Sequence, residues 1–268
     1  MKSPAAIDFQ NVWLFFDEKP ALSDVSFRLE HGETLILLGP TGSGKSVILK
    51  LALGLLKPDE GRVIVEGRDT TPIPEKDMRE IRRRMGIVFQ EGALFDSLSV
   101  YENVAYRLRE EGLEDEAEIE RRVREVLSFV ELEAAIDKMP SELSGGMKRR
   151  VSIARAIVSE PSIMLYDSPT GGLDPVTSQT INELILKLRD VQGVSSIVVT
   201  HRLQDAFWLA NFRYSKDTGS LVPIGGNGAG GEVSATRFLV LRDGKVYFHG
   251  TPNEVISIQD SYLKQFLR

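Results

Sequence analysis

The chain predicts an α/β fold: a parallel sheet with helices on both faces, an antiparallel β layer near the N-terminus, and an inserted helical lobe. Three observations lead there. Short, largely apolar runs recur at 34–38, 162–166 and 196–200, the pattern of strands buried on both faces. Stretches of helical spacing lie between them, and strands alternating with helices imply parallel pairing. From about 91 to 158 the chain becomes richly charged and keeps a helical period, which sets that region apart as a lobe.

Taken in order, Ile7 to Val12 partly alternates and Leu22 to Leu29 alternates clearly, so both read as strands. His31-Gly32-Glu33 is a turn into the run Thr34 to Leu38. A glycine loop, Gly39 to Ser46, follows, and Ser46 to Leu56 is apolar at helical spacing. Lys57-Pro58-Asp59-Glu60-Gly61 is a turn, Arg62 to Glu66 a short strand, and Glu75 to Met85 a charged helix. Gly86 to Phe89 reads as a strand ending at Gln90. Within the lobe, Ile119, Val123, Leu127 and Val130 fall on one helical face, and a further helix is expected from about Lys148 to Val158. Ile181 to Arg189 is a helix with Leu184, Ile185 and Leu188 inward. From Asn211 to Thr236 the chain is polar and glycine-rich, including Gly225 to Gly231, and reads as a mobile surface insertion. Phe238 to Leu241, Asp243-Gly244 and Lys245 to Phe248 form a closing hairpin. This is one domain over 5–268, with its core at about 5–90 and 159–268, the helical lobe at about 91–158 and the insertion at about 211–236.

Composition narrows the function classes. With 268 residues, 42% hydrophobic and 27% charged, the chain is an ordinary globular domain. A net charge of −6 argues against a nucleic-acid partner, whose surface needs a basic patch. There are no cysteines, so neither disulfides nor a Cys-based zinc site can form. No apolar run reaches the roughly 18 residues of a membrane helix. Met1-Lys2-Ser3-Pro4 lacks the apolar region of a secretory leader. Any action on a membrane therefore calls for a partner that spans it.

The chemistry starts at Gly39-Pro40-Thr41-Gly42-Ser43-Gly44-Lys45-Ser46, which fits the P-loop pattern G-x-x-x-x-G-K-[ST]. Its glycines let backbone N–H groups curl around phosphates, Lys45 reaches the outer phosphates, and Ser46 can hold Mg²⁺. Val47 continues the first turn of the helix, whose N-terminus faces the anion. Ile163-Met164-Leu165-Tyr166-Asp167 is an apolar strand ending in an aspartate suited to Mg²⁺. Leu143-Ser144-Gly145-Gly146-Met147 precedes a helix: Ser144 is a good N-cap, and the glycines Gly145 and Gly146 bare the backbone, making a second anion site. One nucleotide does not need two such sites, but two copies meeting face to face do.

In these residues the chain resembles the ATP-binding-cassette (ABC) ATPases, whose signature reads L-S-G-G-Q. The resemblance implies a P-loop NTPase core with ATP and Mg²⁺ as cofactors and a homodimer that sandwiches two nucleotides. It assigns Gln90 to the Q-loop, touching Mg²⁺ and the attacking water, and Gly172-Leu173-Asp174 to the D-loop. It makes His201 the switch residue on the γ-phosphate and Phe16 the aromatic that stacks on adenine. Met147 replaces the usual signature glutamine. With the segment Phe89 to Leu98 and the ending Tyr262 to Leu267, it is similar in finer detail to the ATPases of Mla/Mce-type lipid transporters. Those work with a multi-span permease and an MCE-type lipid-binding protein, so the implied place is the cytoplasmic face of the cell membrane, held there by the permease. The competing readings are a transporter ATPase for another substrate, a non-transport ABC protein, and a nucleotide switch without turnover.

One position departs from the family. After the Walker B aspartate most members carry a glutamate that polarises water; here stands Ser168. Losing a general base lowers the rate by roughly 10²–10⁴-fold, while positioning and charge still support phosphoryl transfer. Three explanations stay open: slow hydrolysis with ATP-driven closure dominant, another carboxylate standing in (Glu91 first, Asp174 second), or a degenerate partner of an active cassette.

Overall fold

The structure is a computed structural model describing residues 4–224, 235–258, 260 and 262. Strands β1 (Ile7–Phe16) and β2 (Lys19–Leu29) pair antiparallel, as their alternation predicts, and β1 runs further than its pattern shows. The apolar run β3 (Thr34–Leu38) is wholly buried and leads through the glycine loop into helix α1 (Lys45–Ala52). That helix stops short of the predicted Leu56, because the chain turns at Gly54, which takes a positive φ of 65°. Strands β4 (Glu60–Val65) and β5 (Arg68–Asp69) pair across Glu66-Gly67, both at positive φ, the geometry of a tight hairpin turn. The charged stretch after it is a 3₁₀ turn and a short helix α2 (Met78–Arg83), and Met85 belongs to the next strand, β6 (Met85–Val88).

The helical lobe follows. Its α3 (Val100–Glu110) begins with a reciprocal cap between Ser99 and Glu102, and α4 (Glu116–Phe129) is capped by Asp115. Ile119, Val123, Leu127 and Val130 are fully buried, as their spacing requires. Helix α5 (Gly145–Ile157) starts at its Ser144 cap, earlier than the apolar period indicates. Next come β7 (Ile163–Asp167) and α6 (Pro175–Gln192), a longer helix than the expected 181–189. The chain continues through β8 (Ser195–Val199) and α7 (Leu203–Asn211). Within the expected insertion, β9 (Phe212–Ser215) and β10 (Ser220–Pro223) form a hairpin packed on α6. Tyr214 N–H donates to Asp190 Oδ2 at 2.7 Å, and the Lys187 ammonium lies 5.7 Å from the Tyr214 ring centre. The glycine run 225–231 lies outside the described residues. The predicted closing hairpin is β11 (Thr236–Arg242) with β12 (Lys245–Gly250), followed by the short α8 (Pro252–Ser257).

Six strands form the central sheet in the order β12-β11-β3-β8-β7-β6, parallel except at β12. The antiparallel layer is β2-β1-β4-β5. Alternate residues of β3 feed two cores. Leu35 and Leu37 pack with α1 and the antiparallel layer, whereas Ile36 and Leu38 pack with the helical lobe and α6. One sheet face is thus covered by strands as well as a helix. Among the described residues no helix is long and apolar enough to cross a membrane.

Candidate nucleotide site

The carboxyl ends of β3, β6, β7 and β8 all open on one edge of the sheet, where ligands of open α/β sheets sit. Register does the assembly: Leu37 pairs with Val199, Asp167 with Val199, and Val88 with Tyr166. Each strand therefore delivers its next residues, the P-loop, Asp167 to Ser168, Gln90 and His201, to neighbouring places.

Within the P-loop, α1 has no side-chain cap: its N-cap is Gly44 at φ 100°, so its first N–H groups are left for an external anion. A Cβ at Gly44 would lie 2.6 Å from Leu22 Cδ2, so only glycine brings the loop this close to β2. Lys45 Nζ donates to Gly39 O at 2.8 Å and Pro40 O at 2.7 Å. Burial lowers its pKa, and the nearby Asp167 partly offsets that. Ser43 Oγ is buried without a partner, packed beside Gly39. Thr41 and Gly42 are exposed at the loop tip, and Val47 packs against the core.

Asp167 is held from both sides. Ser46 Oγ donates to its Oδ2 at 3.1 Å, and Ser168 Oγ donates to its Oδ1 at 3.4 Å. A hydroxyl and a carboxylate are hard oxygen donors of the kind Mg²⁺ takes, and Mg²⁺ characteristically completes its shell with phosphate and water. No cluster of three or more His, Cys, Asp or Glu that could hold a metal occurs among the described residues. Ser168 is buried and left-handed at φ 50°, with its N–H on Val199 O at 2.9 Å. It opens a turn closed by Gly171 N–H on Ser168 O at 3.0 Å. Gln90 stands across that turn: a Cβ at Gly171 would be 3.5 Å from both Gln90 Cγ and Ser168 Cβ. His201 lies close enough to Lys45 and Asp167 to feel both. Burial lowers its pKa, Lys45 lowers it further, and Asp167 opposes them.

The other predicted residues divide. Phe16 is half exposed at the end of β1, so it is not a core aromatic and its ring is free to stack. Ser144 caps α5 by accepting from Met147 N–H at 3.3 Å, and Met147 packs partly against the lobe core. Gly146 is required for more than bare backbone: a Cβ there would lie 2.3 Å from Thr177 Cγ2, so α5 begins hard against the first turn of α6. Gly145 has looser surroundings, with Leu173 Cδ2 at 3.5 Å. Asp174 is engaged within its own chain. One of its oxygens accepts from Thr177 N–H and the other from Thr177 Oγ1, bonds that hold its carboxyl below the usual range, so it serves as the cap of α6. Glu91 is exposed beside the buried Arg149, whose charge it supports. Arg149 itself escaped the sequence reading. It donates to Phe89 O and to Gly171 O, joining the Q-loop to the Ser168 turn. The only sequence signal was its place in the run Lys148-Arg149-Arg150 just after the signature.

Beside the Q-loop, a groove of about 510 Å³ runs between the sheet edge and the lobe, lined by Leu55, Phe89, Phe95 and Tyr106 with Arg155 among them.

A family model described as ABC transporter matches residues 22–171. A probable ribonucleotide transport ATP-binding protein, mkl, of Mycobacterium leprae is 39% identical over 77% of this chain and 59% of its own length. The chain thus spans about three fifths of that relative. The intermembrane phospholipid transport system ATP-binding protein MlaF of Haemophilus influenzae is 32% identical over 98% of this chain and 90% of its own. The dimeric structure of MJ0796, a bacterial ABC transporter cassette, aligns with a TM-score of 0.76 at 32% identity, covering 91% of this chain and 98% of that one. The same cassette in a dimeric post-hydrolysis state bound to ADP and phosphate aligns with a TM-score of 0.74 at 31% identity, with the same coverage.

Proposed function

The chain belongs to the ABC transporter family, and from that premise we propose that it is the ATP-binding subunit of a lipid transporter, working as a pair of copies beneath a multi-span permease. The observation that carries the reading is the convergence of Lys45, Ser46 and Asp167 below the uncapped start of α1. In this reading the backbone of 39–47 and Lys45 hold the phosphates, Ser46, Gln90 and Asp167 take the Mg²⁺ that neutralises phosphate charge, and Phe16 stacks on the base. Ser144 and Gly146 of the second copy, with Asp174 alongside, complete each site. Phospholipid as cargo is supported by the likeness to MlaF over nearly the whole chain. A ribonucleotide is the second reading, because mkl carries that description. The groove beside Phe89 and Phe95 suits a cytoplasmic segment of the permease, which would feel the Q-loop move. The substrate is tested by purifying the membrane complex and identifying its bound small molecules by mass spectrometry. Phospholipid is expected; a ribonucleotide in its place contradicts the lipid reading.

Turnover is slow in this account. Ser168 cannot remove a proton near neutral pH, and its hydroxyl orients Asp167. Closure on ATP then dominates, with residual hydrolysis resting on Gln90, His201 and Lys45, and Glu91 is the first carboxylate to test as a stand-in. Glu91→Gln is expected to lower residual ATPase by roughly 10²-fold, the lower end for a general base, with ATP affinity unchanged; equal turnover rules Glu91 out. The pH dependence has a definite sign. His201 has a depressed pKa, so it stays neutral at and above the usual histidine value of 6.5. Activity should hold from about pH 6.5 to 8 and fall on the acid side as the imidazole protonates. His201→Ala should remove that acid limb together with most turnover, as a pH–rate series on both proteins would show.

A further inference from the structure

We propose that Arg202 is a positioning residue that ties His201 to the loop bearing Asp174, so that one chain's own phosphate sensor and the surface it offers to its partner move as a unit. The inference rests on the paired-cassette reading above and adds a residue that reading does not use.

His201 sits on a one-residue arch with both neighbours anchored. On one side, Thr200 N–H donates to Leu37 O at 3.3 Å, back into the strand that carries the P-loop. On the other, Arg202 N–H donates to Thr200 Oγ1 at 3.0 Å. The Arg202 side chain then crosses to the β7–α6 loop. Its Nη1 donates to Ser178 Oγ at 2.6 Å, and to Thr170 O and Leu173 O, each at 3.3 Å. Ser178 Oγ in turn donates to Asp174 O at 2.8 Å. One guanidinium therefore holds both ends of the loop and reaches the residue that caps α6.

The guanidinium is itself held. Arg202 Nε lies 3.5 Å from Asp205 Oδ2, and Asp205 is buried. That carboxylate accepts from Thr170 Oγ1 at 2.6 Å and from Asn182 Nδ2 at 3.0 Å. A buried acid satisfied by three donors from three elements has one arrangement available, so displacing α7 drags the loop with it. The path continues beyond Asp174. Thr177 in the first turn of α6 abuts Gly146, and a Cβ there would meet it at 2.3 Å. A shift at His201 is thus carried through Arg202, Ser178 and Asp174 to the start of α5, where Ser144 stands.

A purely architectural arginine would change stability alone. A coupling arginine changes how the two sites of a dimer respond to each other, and cooperativity reads that directly. The experiment measures ATPase rate against ATP concentration on the full chain, with equilibrium binding of a fluorescent ATP analogue. The proteins are wild type, Arg202→Met, Arg202→Lys and Ser178→Ala. Wild type should hydrolyse ATP cooperatively. Arg202→Met should lower kcat by about 10- to 100-fold with KM within about twofold, and bring the Hill coefficient to about 1. Ser178→Ala removes a single hydroxyl and leaves the guanidinium in place; it should also lose cooperativity, which keeps the test open if Arg202→Met does not fold. Arg202→Lys should recover part of both. Wild-type cooperativity in Arg202→Met or in Ser178→Ala overturns the inference, as does a non-cooperative wild type. A wild type that binds no ATP analogue overturns the paired-cassette reading, and this inference falls with it.

Discussion

The Asp167 carboxylate, gripped by Ser46 on one oxygen and Ser168 on the other, is the contact on which the rest of the site depends. It joins the loop after β3 to the end of β7, two strands that are not neighbours, with β8 between them. Only a parallel sheet in this order and register places a hydroxyl from one loop against a carboxylate from the other. The same register fixes His201 at the end of the intervening strand, where it feels both Lys45 and Asp167. The two hydrophobic cores above and below β3 hold that register, since a slip of one residue would turn Leu35 and Leu37 into the wrong layer.

The glycine loop was readable in the sequence because its pattern is local. The pattern is contained in eight residues, and the strand before it and the helix after it are apolar enough to be recognised alone, although Gly44 also answers to Leu22 on β2. Strand order was not readable, because buried apolar runs do not encode their neighbours. The first turns of α6 were missed for a related reason. Val176 to Thr180 is polar apart from the exposed Val176, so no apolar period marks it, although Asp174 followed by Pro175 is a strong start signal. The β9–β10 hairpin was hidden by its brevity. Its order comes from Asp190 and Lys187 on α6, contacts that no window along the chain contains.

Arginines were the largest blind spot. In sequence, Arg149 and Arg202 look like solvated charges beside their motifs. In the fold, Arg149 spans from Phe89 to Gly171, and Arg202 spans from the His201 turn to the loop before α6. Both satisfy backbone carbonyls of loops that have no regular partner, which is how an irregular active-site edge keeps a single shape. Ser168 belongs to the same economy of hydrogen bonds. It stands where most members of the family carry a water-activating carboxylate, and its hydroxyl bonds Asp167 instead.

Whether two copies close around nucleotide is directly measurable. The solution mass of the purified chain, followed by light scattering with ATP and Mg²⁺, reports whether two copies close around nucleotide. The expected result is a shift from one chain to two that is absent with ADP and that, if Ser168 slows hydrolysis as proposed, outlasts removal of free nucleotide. A chain that keeps a single mass at saturating ATP and Mg²⁺ contradicts it.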